Sequence, residues 1–181
     1  MSLQEAKRKY LDRELWLLVT QGSLQRSQTY GDNIDEVKRK EFRECLHKRI
    51  GQLVGGCYLE EVSSEAHLSH MMCLQKEISQ AFSNILKDGH IRLGVLQKFV
   101  NLYLKYHWVL DRIPTPPHCP FDRIVIEKLR NGKHLDRDIN WTEMNCSTDY
   151  CALVVAAELA KGKNESIAEW ELRVWLEESA S

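Results

Sequence analysis

The sequence predicts an all-α, single-domain bundle of about seven helices. Apolar residues recur every three to four positions along most of the chain, the spacing that builds one buried helical face. No stretch shows sustained strand alternation; Arg123–Ile126 comes nearest and is too short to count. Residues that start and stop helices punctuate the periodic stretches. At 181 residues, 43% hydrophobic and 28% charged, the chain can bury a real core.

The elements follow in order. Residues 3–20 form a charged helix that turns apolar at LWLLV and is expected to end before QGS. Residues 34–54 place Ile34, Val37, Cys45, Leu46, Ile50 and Leu53 near helical spacing, with Glu41 as a charged intruder. Gly51, Gly55 and Gly56 are expected to weaken and break that helix. A third helix starts after Ser63 or Ser64, carries a stripe from Leu68 to Leu86, and stops at Lys87-Asp88-Gly89. Gly94–Leu110 is apolar on most of its circumference, so this helix should be central. A short helix spans about Arg123–Arg130 and ends at Asn131-Gly132. Ser147 or Thr148 caps the next helix, and Ser166-Ile-Ala-Glu169 is a capping box for the last. GQLVGGCYLEEVSS is the natural join. A helical pair over 1–54 packed on a main bundle over 64–181 is the alternative to one domain over 1–181.

All four prolines fall within seven residues, at Pro114, Pro116, Pro117 and Pro120. Proline fixes φ, lacks an N–H and pushes its predecessor out of helical geometry, so this stretch should be a stiff, extended corner. Asp122 stands where the chain turns helical again. Its carboxylate is placed to cap the next helix, whose dipole favours the ionised form. Capping is the plain reading of this residue.

The formal net charge of −1 excludes a strong global attraction to nucleic acid or anionic lipid, though not a local basic face. No apolar run approaches the roughly 20 residues that span a bilayer. The charged start carries no signal-peptide apolar region, so a cytoplasmic location is expected. The six cysteines show no CxxC, and their thiols should stay reduced. The Asn140, Asn145 and Asn164 triplets then carry no glycan. His67 and His70 have a metal-compatible spacing but no accompanying carboxylate motif, and read as helical histidines. No metal and no organic cofactor is expected. Tyr103, Tyr106, Trp108 and Trp141 read as core rather than as a base-stacking platform.

Lys98, Asn101 and Lys105 follow at steps of three and four and so share a helix face. The stretch IRLGVLQKFVNLYLKY…PPHCPFDRIVIEKL is similar to a family of bacterial proteins. More faintly, it resembles the helix-hairpin-helix DNA glycosylases. Gly94, Lys98 and Asn101 match the hairpin's first glycine, lysine and asparagine in register. Pro120, Asp122 and Val125 match the later proline, aspartate and branched residue. Leu96 replaces the second hairpin glycine, and the proline insert lengthens the lysine-to-aspartate spacing. The resemblance implies Lys98 as the nucleophile at C1′ of a nucleotide and Asp122 as the carboxylate that activates it and steadies positive charge on the sugar. Gly94, Asn101 and Lys105 are the binding candidates beside them. Two function classes follow. One is a DNA-binding protein with base-excision chemistry. The other is a non-catalytic module that binds protein or self-associates through Trp170, Trp175 or LWLLV.

Overall fold

A computed structural model describes residues 1–179 and shows seven α-helices and no strand among them. Helix α1 spans Leu3–Leu24, α2 Glu36–Cys57, α3 Ser64–Phe82 and α4 Leu93–Val109. Helices α5 (Arg123–Asn131), α6 (Ser147–Ala160) and α7 (Ile167–Ser179) follow the proline corner. One isolated antiparallel bridge joins Tyr30 to Leu86. The Gly31 amide donates to the Ile85 carbonyl (2.9 Å) and the Lys87 amide to that of Thr29 (3.0 Å), clipping the α1–α2 loop to the end of α3.

Helix α4 is the axis of the molecule. Ten of its seventeen residues are buried, and α1, α3 and α6 all pack on it, α1 most extensively. Trp16 of α1 stacks on Phe99 (5.5 Å between centroids) and meets Tyr103 edge-on (6.1 Å). Helix α5 packs between α6 and α7. A single apolar cluster runs from Trp16 through α4 to Val174. Trp170 belongs to it, whereas Trp175 is exposed. Tyr103 and Trp141 are also buried.

Three boundaries differ from the sequence expectation. Helix α1 continues through Gln21-Gly22-Ser23 because Val19 and Ser23 extend its buried face one turn further. Helix α2 runs through Gly51, Gly55 and Gly56. Its buried face is Phe42, Leu46, Ile50 and Val54, a fourfold i, i+4 row that holds the helix despite the low propensity of glycine. Val37, expected on that face, is exposed. The apolar stripe of α3 overran its helix: Ile85 and Leu86 lie beyond Phe82, buried in the clip to Tyr30. Residues 123–126 are helical.

The local caps follow the sequence closely. Ser63 caps α3, accepting from the Ala66 amide. Ser166 and Glu169 form the reciprocal capping box of α7. Helix α6 is the exception: it starts at Ser147 itself, so neither Ser147 nor Thr148 caps it, and Cys146 holds the cap position with no side-chain cap bond.

Candidate functional site

The proline corner is tied to α4 by two buried amides one helical turn apart. Gln97 donates from Nε2 to the Phe121 carbonyl (2.9 Å), and its Oε1 accepts from the Phe121 amide (3.1 Å). Asn101 donates from Nδ2 to the Cys119 carbonyl (2.8 Å). Both side chains are fully buried. Unpaired backbone groups at such depth would each cost about 1–3 kcal/mol, so the clamp fixes where the corner ends. Asp122 then begins α5, accepting from the Val125 amide (3.2 Å).

That geometry sets Asp122 3.6 Å from the Lys98 ammonium, with both side chains mostly buried. The ammonium also lies over the face of Trp141, 4.4 Å from its centroid, a cation–π contact. Burial lowers the Lys98 pKa, the Asp122 charge opposes that shift, and Arg26 adds to it. A lysine held this way keeps a larger neutral, nucleophilic fraction than one in water.

A cleft of about 430 Å³ opens beside this pair, between α1, α4 and α7. Leu18, Leu102, Tyr106, Leu172 and Trp175 give it apolar walls. Lys98 and Asp122 stand on its lining together with a second pair, Lys105 and Glu171. Lys105 donates to both oxygens of Glu171 (2.9 and 2.7 Å) and lies 5.3 Å from the Trp175 ring centroid. Glu171 is 3% exposed, and burial raises its pKa against the pull of Lys105. Each cleft lysine therefore has its own carboxylate.

The structure brings Lys98, Lys105 and Asp122 to one cleft. It does not bring Gly94 or Asn101 there. Gly94 donates its amide to the Met144 carbonyl (2.8 Å), and an added Cβ would lie 1.7 Å from the Trp141 carbonyl oxygen. This glycine admits the Trp141 backbone against α4. Asn101 shares the lysine face by spacing, yet Cys119 and Tyr150 cover it. Glu171 and Trp141, which complete the two lysine environments, come from distant segments, and no local spacing pointed to them.

A second polar cluster lies buried on the far side of Asn101. Tyr58 hydrogen-bonds with Nδ1 of His67 (2.6 Å), and His118 Nδ1 with the Tyr150 hydroxyl (2.8 Å). Ser64 reaches His118 Nε2 (2.7 Å), while Asn101 donates to Tyr150 (3.2 Å). His67 thus pairs with Tyr58 and not with His70 in a metal site. No group of three or more histidine, cysteine or acidic side chains suited to a metal occurs among the described residues. Nor is any described helix long and apolar enough to cross a membrane.

With an all-helical fold and a lysine–carboxylate cleft in view, comparison with known proteins gives a partial likeness. No protein-family model and no solved structure matches the chain. UvrABC system protein C of Borreliella burgdorferi (strain ZS7) is 26% identical over 137 residues, covering 62% of this chain and 22% of that protein. UvrABC system protein C of Borrelia garinii subsp. bavariensis is 25% identical over 147 residues, covering 66% and 23% respectively. The chain therefore spans less than a quarter of the length of these curated relatives.

Proposed function

We propose that this chain acts on DNA, and that its cleft carries an amine nucleophile, Lys98, held ready by Asp122. The observation that supports this reading most is the mostly buried Lys98 ammonium 3.6 Å from a helix-capping carboxylate on the wall of an open cleft. The partial likeness to UvrABC system protein C, a DNA-repair protein, agrees with a DNA-directed role.

Asp122 takes a proton from the Lys98 ammonium, and the neutral Nζ attacks C1′ of a deoxynucleotide. The Nζ–C1′ bond forms as the C1′–base bond breaks, and its electron pair leaves with the base, which is then protonated. The carboxylate steadies positive charge on the sugar during this exchange. Nζ then gives a second proton to solvent, and its lone pair forms the C1′=Nζ bond as the C1′–O4′ bond breaks. O4′ takes up the proton held by Asp122, leaving a protonated imine at C1′. The apolar walls receive the base, and Trp141 confines the amine.

Borohydride reduces such an imine to a permanent link. Duplexes carrying an abasic site, uracil or oxidised guanine should therefore give a covalent protein–DNA band with the parent protein. Lys98→Ala should abolish the band and Lys105→Ala should leave Lys98 able to form it. Trapping by Lys98→Ala at the parent level removes Lys98 from the role.

The competing reading is a protein-binding cleft, favoured by the exposed apolar surface of Leu18, Val109 and Trp175 on its lining. No trapped band on any of these duplexes, with no salt-sensitive DNA binding, selects that reading.

A further inference from the structure

Cleft charges are balanced pairwise, Lys98 with Asp122 and Lys105 with Glu171. Such a cleft suits a sugar and a base but offers no surplus positive charge to a phosphate. The surplus lies next door. A second depression of about 440 Å³ is lined by Arg26, Arg123 and Arg130, with Asn140, Trp141 and Thr142 completing its polar wall. Lys98 lines only the first hollow, and residues beside it line the second. Trp141 lies under its ammonium, Arg123 follows Asp122 directly, and Arg26 follows Gln25 of the cleft lining.

Two carboxylates also face this depression. Glu127 pairs with Arg123 at 3.5 Å and Asp138 with Arg130 at 3.0 Å. Both pairs are exposed, and pairs of that kind contribute little, so a phosphate can displace either carboxylate. Arg26 takes part in none of the ion pairs among the described residues. Guanidinium groups present a planar fork of donors that matches phosphate oxygens.

We propose that the Arg26–Arg123–Arg130 depression is a phosphate subsite, which holds the 5′- or 3′-phosphate of the sugar presented to Lys98. Its use by a substrate rests on the reading of Lys98 given above. The geometry divides one nucleotide between two hollows: phosphate on the arginines, sugar carbon at the amine, base between apolar walls. The same chemistry suits the phosphodiester of a nucleic acid or a small phosphorylated sugar.

The test compares the parent protein with an Arg26→Gln/Arg123→Gln/Arg130→Gln variant whose unchanged helical signal and melting confirm its fold. Borohydride trapping is followed by mass spectrometry with 2-deoxyribose and with 2-deoxyribose 5-phosphate. The parent should trap the phosphorylated sugar at least about tenfold faster, and the variant should trap the two at equal rates. In parallel, binding of an undamaged duplex is measured against salt. If the duplex backbone occupies the subsite, each lost phosphate contact lowers the slope of log K against log salt by about 0.9. A phosphate preference with an unchanged slope assigns the subsite to small sugar phosphates. A lowered slope without any sugar adduct keeps the subsite and removes Lys98 chemistry. Equal trapping of both sugars by the parent, with an unchanged slope, overturns the subsite while leaving Lys98 chemistry intact. No adduct and no change of slope overturns both.

Discussion

Gln97 of the central helix grips the backbone of Phe121 by both its amide and its carbonyl. This clamp determines where the proline corner ends and, one residue later, where Asp122 stands. Gln97→Leu keeps the volume but strands both Phe121 groups in a dry site. It should destabilise the fold by roughly 2–4 kcal/mol in urea unfolding, with the m-value unchanged. A variant within about 0.5 kcal/mol of the parent would show that the corner is held by the prolines alone.

Asp122 has two separable jobs. Asparagine caps a helix nearly as well as aspartate, so Asp122→Asn should stay within about 1 kcal/mol of the parent, whereas Asp122→Ala should lose about 0.5–2 kcal/mol. The charge belongs to Lys98. Asp122→Asn should therefore slow borohydride trapping strongly while DNA affinity changes little, because the carboxylate acts at the reacting carbon. Equal trapping rates in parent and Asp122→Asn would reduce this aspartate to a cap.

Gly94 tests how the Trp141 segment is seated. An added methyl meets a backbone oxygen, not a movable side chain, so Gly94→Ala must push residues 141–144 away from α4. The expected cost is about 3 kcal/mol in thermal or urea unfolding, with loss of the Gly94–Met144 hydrogen bond. It should also move Trp141 from beneath Lys98, and the change in tryptophan emission reports this. Unaltered stability and emission would contradict the close approach.

The buried histidines make stability depend on acid. Burial lowers the His118 pKa from 6.5 to about 4, against the opposing charge of Glu65. His67 is lowered well below 6.5 by burial, then by His118, with Asn101 opposing and His70 adding a smaller share. Between those limits the unfolded chain binds more protons than the native one. Stability is therefore full above pH 6.5 and falls as pH drops toward 4, with His118 alone accounting for about 3 kcal/mol. Urea midpoints at pH 7, 6 and 5 read the slope, and His118→Gln should flatten it. An equal slope in that variant would assign the acid loss to other groups.

What the sequence disclosed was local chemistry. The capping box at Ser166 and Glu169, the cap at Asp122 and the four prolines act over three or four residues, so they were readable. The same holds for the apolar girth of α4. The glycines of α2 misled because their cost is small beside the burial of Phe42, Leu46, Ile50 and Val54 on partners far along the chain. Spacing placed Lys98, Asn101 and Lys105 on one face, but Cys119 and Tyr150, from later segments, separated the asparagine from the lysines. Glu171 arrives from α7 and Trp141 from a loop. Only the folded chain shows that these complete the lysine pairs.

Within the corner itself, Cys119 is 1% exposed, and burial raises its thiol pKa well above the ordinary range. Cys57, Cys73, Cys146 and Cys151 are exposed. An alkylating reagent therefore meets four sulfurs at once, the half-buried Cys45 more slowly, and Cys119 only when the chain opens. The slow modification of Cys119 counts how often the clamp of Gln97 and Asn101 lets go. Its rate, relative to that of the unfolded protein, gives the free energy of that opening without any added dye or tag.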